Sequence, residues 1–149
     1  MSLKEQLRDD LTTALKARDE LRMSTLRMAL TAITNEEVAG KEARELSDDD
    51  VVGVLTREAK KRRESAQAFD DGGRAALAER ERREGEVLAE YLPEQLDDDE
   101  LAALVASAIA ESGADSSKAM GQVMRVLNPT VAGRAEGGRV AAEVRRQLG

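Results

Sequence analysis

The segment Gly133-Arg134-Ala135-Glu136-Gly137-Gly138-Arg139 carries residue types that can hold phosphate. Glycines bare the main-chain N–H groups at a helix start, and two arginines stand beside them. The spacing matches neither a Walker A loop nor a dinucleotide fingerprint, so nucleotide binding is not supported. Arg146 follows Arg139 by two helical turns, and both fall opposite Val140, Val144 and Leu148. The spacing therefore predicts that the two arginines project outward together. A plain helix–turn–helix whose glycines serve backbone shape explains the same residues, and both readings stand open.

Three other groupings could do chemistry. Arg57, Lys60, Lys61, Arg62 and Arg63 could face phosphate. Glu58 lies four before Arg62, however, and Lys60 four before Glu64, so helix-surface pairing is the simpler reading. The acidic runs Asp48-Asp49-Asp50 and Asp97-Asp98-Asp99-Glu100 could attract magnesium or calcium. Both sit where helices should start and the dipole favours carboxylates, so no metal site is expected. Glu81 and Glu84, one helical turn apart, could act as paired carboxylates in acid–base work.

Composition narrows the chemistry further. With no Cys there is no thiolate nucleophile and no zinc–sulfur site, and with no His the usual general base near neutral pH is missing. No serine, threonine or lysine has a convincing base beside it. No catalytic residues and no cofactor are therefore assigned. The net charge of −7 argues against a surface that coats nucleic acid throughout, so any RNA contact must be local and salt-sensitive. Phe69 and Tyr91 are the only aromatics, which disfavours base stacking and leaves phosphate contacts and shape as the means of recognition. No DNA partner is expected. The start, Met1-Ser2-Leu3-Lys4-Glu5, has no apolar signal core, and the run Leu101 to Ala110 is too short to span a bilayer. No membrane partner and a cytoplasmic location are the expectations.

The elements that must position these groups are all helical. Ala, Leu, Glu and Arg dominate and strand formers are scarce. Ser2-x-x-Glu5 opens a first helix with a stripe of Leu3, Leu7, Leu11 and Leu15. A second runs from about Asp19 to Val38 through Met23, Leu26, Leu30 and Ile33, with Gly40 as its stop. Ser47-x-x-Asp50 opens the third, striped by Val52, Leu55, Ala59, Arg62, Ala66 and Phe69, and Gly72-Gly73 ends it. The fourth carries Leu77, Glu81, Glu84, Leu88 and Tyr91 in the same alternation and closes at Leu92-Pro93. The fifth buries Leu101, Leu104, Val105, Ala108 and Ile109 and stops at Gly113. The sixth, about Ser117 to Leu127, packs through Met120, Val123, Met124 and Leu127, and Asn128-Pro129 breaks it. The last turns Val140, Val144 and Leu148 inward. This predicts an N-terminal helical domain over residues 1–93 and a C-terminal three-helix domain over 94–149.

The third and fourth helices share a heptad-like rhythm and should form an antiparallel hairpin. Folding at Gly72-Gly73 brings Arg62 opposite the region of Glu84 and Phe69 opposite Leu77. Arg62 is expected to meet Glu84 or Glu81 there, as a polar layer that fixes register rather than an acid pair for catalysis.

Longer strings carry a family resemblance. Arg63-Glu64-Ser65, Phe69, Gly73-Arg74, Leu77, Glu79 and Glu81, ending in Glu90-Tyr91-Leu92-Pro93-Glu94-Gln95-Leu96, resemble the GatB/YqeY family. So do Gly121-Gln122-Val123-Met124, then Leu127, Pro129 and Gly133-Arg134-Ala135-Glu136-Gly137, and the early stretch from Leu26-Arg27 to Ile33 and Asn35. Gln122 stands where the family pattern has Lys, and Glu136 where it has Asp. The first departure removes a cation beside the Gly-rich turn.

The resemblance implies kinship with the tail domain of GatB, a component of the tRNA-dependent amidotransferase. That enzyme amidates Glu-tRNA(Gln) and Asp-tRNA(Asn) with glutamine as nitrogen donor; the GatB tail grips tRNA while a separate domain does the transfer. The expectation is an accessory protein that binds tRNA through Arg134, Arg139 and Arg146, with Arg125, Lys118, Gly133 and Gly137 beside them. One alternative is a protein–protein adaptor. The other is a carbon–nitrogen ligase with glutamine as amido-N-donor, by family association alone.

Overall fold

The computed structural model describes all 149 residues, Met1–Gly149. The protein is all-α and divides into two compact units, Met1–Leu92 and Pro93–Gly149.

The first unit contains α1 (Leu3–Ala17), α2 (Glu20–Glu37), α3 (Asp48–Asp71) and α4 (Ala75–Ala89). Helix starts follow local chemistry. Ser2 with Glu5 and Ser47 with Asp50 form reciprocal capping boxes, and the Asp19 carboxylate accepts the Arg22 N–H. α3 and α4 form the antiparallel hairpin, turning through Gly73 at φ 73°. α1 packs on α2 and α3, and α2 on α3 and α4. The core joins Leu7, Leu26, Ala29, Ile33, Val51, Val54, Leu55, Ala59, Val87 and Leu88.

Several stripes differ in detail from the expected ones. Leu15 is 44% exposed while Ala14 is buried. Spacings of four advance 40° per step around a helix, so a Leu3–Leu7–Leu11 stripe has rotated past the core by residue 15. Leu77 is likewise 41% exposed and Ala78 takes the inward place. α2 runs Glu20–Glu37 between Asp19 and Val38 as caps, in line with its expected bounds, and the chain beyond it is tied back by the Arg44 N–H, which donates to the Glu37 carbonyl at 2.9 Å. The turn between α1 and α2 uses Arg18 at φ 57°, a left-handed position with no glycine to announce it.

The second unit contains α5 (Asp98–Ser112), a 3-10 turn (Ser117–Ala119), α6 (Met120–Val131) and α7 (Gly137–Leu148), each α-helix packing on the other two. Asp97 and Glu100 form a third capping box, and Gly113 ends α5 at φ 71°. Leu96, Leu101, Val105, Ala108, Val123, Leu127, Val131, Ala135, Val140 and Val144 make its core. α6 does not break at Asn128-Pro129 but runs through Pro129 to Val131. Pro129 lies on the exposed side of the last turn, and the buried Val131 beyond it holds the helical path.

Candidate nucleic-acid interface and a buried polar layer

Arg134 sits in the turn between α6 and α7. Its Nε donates to the Glu94 carbonyl at 3.2 Å and its Nη1 to the Thr130 carbonyl at 3.4 Å. These partners are dipoles, so the guanidinium is positioned without being neutralised. Gly133 precedes it at φ 73°, the left-handed conformation that glycine adopts without penalty. Gly137 opens α7, with Glu136 as its N-cap.

The other cations fare differently. Arg139 is half-exposed, and its guanidinium is already engaged. Its Nη1 donates to the Leu96 carbonyl and its Nη2 to the Asp98 carboxylate, both at 2.8 Å. Arg146 is exposed, but its Nε lies 3.0 Å from Glu143 Oε2, one turn back on the same helix. That pair, with a second hydrogen bond from Gln147, holds the Glu143 carboxyl down at about 2. Lys118 and Arg125 are exposed with no carboxylate partner. Arg145 is in the same condition; outward spacing singles out Arg146 and misses this neighbour.

Arg62 forms the second grouping. It is half-buried between α3 and α4, with Nη1 3.4 Å from Glu84 Oε2, Nε 3.5 Å from Glu81 Oε2 and Nη2 3.5 Å from Glu58 Oε2. From α2, the Met28 sulfur accepts from Nη1 at 2.9 Å. Glu58 also meets Lys61 at 3.2 Å, and Glu84 meets Arg80 at 3.3 Å. Glu58 and Glu84 are buried, although Glu58 lies off the stripe that the sequence pattern marks. Arg62 Nε and Glu81 Oε2 are both buried without a hydrogen bond. The arrangement fixes the register of the hairpin electrostatically, since each carboxylate is held against a guanidinium.

The rest of the basic segment on α3 is occupied. Arg57 pairs with Glu36 at 3.7 Å and Lys60 with Glu64 at 3.9 Å. Within the acidic runs, Asp50, Asp97 and Glu100 take part in capping boxes, and Asp48 Oδ1 accepts the Leu3 N–H at 3.0 Å.

Glu81 has a consequence for pH. Burial pushes its carboxyl above the usual range, Arg62 opposes this, and Glu84 adds to it. Glu58 from α3 and Arg80 from α4 share the same layer. A carboxyl whose folded-state pKa exceeds its unfolded value binds its proton more tightly when folded. Stability from this group therefore rises as pH falls through the folded pKa, and ionised Glu81 is a cost at neutral pH. Glu81→Gln should raise the urea midpoint at pH 7, by up to about 1 kcal/mol in stability. The gain should shrink as the pH approaches 4. A loss of stability at pH 7 would mean that attraction to Arg62 outweighs burial.

The family model described as Yqey-like protein matches residues 4–148. The chain belongs to the YqeY family. Among curated relatives, "Altered inheritance of mitochondria protein 41, mitochondrial" of Lachancea thermotolerans is 35% identical over 88 residues, 58% of this chain and 46% of that protein. The protein of the same name from Clavispora lusitaniae is 32% identical over 91 residues, 61% of this chain and 52% of that protein. An uncharacterized protein of Schizosaccharomyces pombe is 33% identical over 94 residues, 62% of this chain and 74% of that protein. This YqeY-family chain thus spans about half the length of two of these relatives. No helix is long and apolar enough to cross a membrane.

Proposed function

We propose that this YqeY-family chain is an accessory protein that binds tRNA through cations of its C-terminal unit and carries out no transfer chemistry by itself. The observation that carries the reading is Arg134, held by two carbonyls and by no carboxylate. A guanidinium fixed in this way keeps its charge and its remaining N–H donors for a phosphate. Lys118, Arg125 and Arg145, exposed and without acid partners, supply further contacts from α6, its leading turn and α7. The C-terminal unit has no aromatic residue, which favours backbone and shape over base stacking. The resemblance to the amidotransferase tail makes tRNA the first RNA to try.

The test is a mobility shift of the full chain with tRNA at low salt, comparing wild type with the triple variant Lys118→Glu, Arg125→Glu, Arg145→Glu. The variant should bind at least about 10-fold more weakly, because each lost phosphate contact removes counterion release. Equal binding by both proteins, or equal binding of wild type to any polyanion, would contradict the reading. Amide formation on Glu-tRNA by the purified chain alone is expected to be nil.

A protein–protein adaptor is the second reading. It is favoured by the Arg139–Asp98 and Arg146–Glu143 pairs, and by the nine acids against six bases in Pro93–Gly149. A partner captured from lysate that survives nuclease would support it over RNA.

A further inference from the structure

We propose that Asp98 and Glu143 are built-in competitors for RNA phosphate, so that the C-terminal unit holds part of its own cationic surface closed. This rests on the RNA-binding reading above and adds a means of regulating it.

The segment leading into α5 is sewn along the α6–α7 turn. The Leu96 N–H donates to the Arg134 carbonyl at 2.9 Å, and Gln95 Nε2 donates to the Gly133 carbonyl at 2.8 Å. Leu96 and Ala135 are buried at this seam. Arg139 divides its donors across it. Nη1 is anchored on the part-buried Leu96 carbonyl, while Nη2 reaches the Asp98 carboxylate, whose side chain is 97% exposed. Asp98 thus offers Arg139 what a phosphodiester would offer, a solvent-facing anionic oxygen at 2.8 Å. Such an exposed pair is weak and exchangeable. A phosphate oxygen can replace Asp98 on Nη2 while Nη1 keeps the arginine in place.

Glu143 plays the same part on α7. Both its oxygens lie within hydrogen-bonding distance of Arg146 Nε, at 3.1 and 3.0 Å, and Gln147 Nε2 donates to it at 2.9 Å. Gln147 is itself tied to the Ala102 carbonyl at 2.9 Å, so the carboxylate is held in position. Two of the arginines singled out by spacing are therefore occupied by anions that a tighter-binding polyanion must displace.

The experiment compares tRNA affinity of the full-length wild type with Asp98→Asn, Glu143→Gln and the control Glu111→Gln. Glu111 is exposed near the far end of α5 and makes the same change in net charge. Asp98→Asn and Glu143→Gln should each tighten binding about 2- to 5-fold, the range set by release of an exposed pair. The control should shift it less than about 2-fold, because Glu111 holds no arginine that its loss would release. Equal tightening by the control would show a net-charge effect and overturn the inference. Binding by wild type with no tightening in either variant would overturn it too, leaving the RNA reading intact. No binding by any of the four proteins would overturn both.

Discussion

Replacing Arg62 with alanine should destabilise the N-terminal unit by about 3–5 kcal/mol, the largest single effect we expect in that unit. Glu58, Glu81 and Glu84 all approach this one guanidinium within 3.5 Å. Removing it leaves two buried carboxylates and a third poorly solvated one facing each other across the α3–α4 hairpin. Lys61 and Arg80 reach only Glu58 and Glu84. Urea unfolding at pH 7 measures the loss. Adding Glu81→Gln to Arg62→Ala should recover part of it, because one repelling charge disappears, and the pair should couple by at least about 0.5 kcal/mol in a double-mutant cycle. A loss under about 1 kcal/mol for Arg62→Ala, the scale of an exposed pair, would show that the layer is solvated and does not lock the hairpin.

Leu127→Ala should cost the C-terminal unit about 2–5 kcal/mol through lost burial and the cavity left behind. Leu127 is 2% exposed and belongs to the core shared by α5, α6 and α7. A unit this small has a total stability of roughly 3–8 kcal/mol by the usual per-residue scale, so the substitution should leave it partly unfolded at ambient temperature. The two units can be followed apart. Tyr91, the only tyrosine, precedes Pro93, and nothing in Pro93–Gly149 is aromatic. Far-UV circular dichroism should lose the contribution of α5, α6 and α7 at low denaturant, while tyrosine emission keeps its wild-type midpoint. A single coincident transition with an unchanged midpoint would contradict the expected cost.

The parts of the fold that can be read in the sequence are those set by neighbours a few residues apart. Ser2 with Glu5, Ser47 with Asp50 and Asp97 with Glu100 each carry both halves of a capping box within one turn, and Gly73 and Gly113 mark left-handed turns. Where pattern and fold differ, a longer-range term decides. Leu15 and Leu77 are good core residues by type, but their helices turn them away and smaller alanines fill the contact. Glu58 looks like an ordinary surface partner because its burial depends on the neighbouring helices. α6 passes through Pro129 because burial of Val131 outweighs a local breaking signal.

The candidate interface is legible in kind and not in detail. Outward position on a helix says that a cation can meet solvent, and says nothing about which carboxylate meets it first. Arg146 and Glu143 sit three apart, a pairing the spacing allows. Arg139 and Asp98 are 41 positions apart, and only the fold of the C-terminal unit brings them together. Arg134, whose partners are backbone carbonyls, is the one whose state no pattern of charges could have revealed.

RNA held by its phosphate backbone must bind in a salt-dependent way. Anisotropy of labelled tRNA titrated with the full chain, between about 50 and 200 mM monovalent salt, should give a falling straight line of log affinity against log salt. Engagement of Arg134, Lys118, Arg125 and Arg145 predicts a slope of roughly −3 to −4, at about 0.9 per phosphate contacted. A flat line, or no binding at the lowest salt, would contradict the claim that this protein works by holding an RNA backbone.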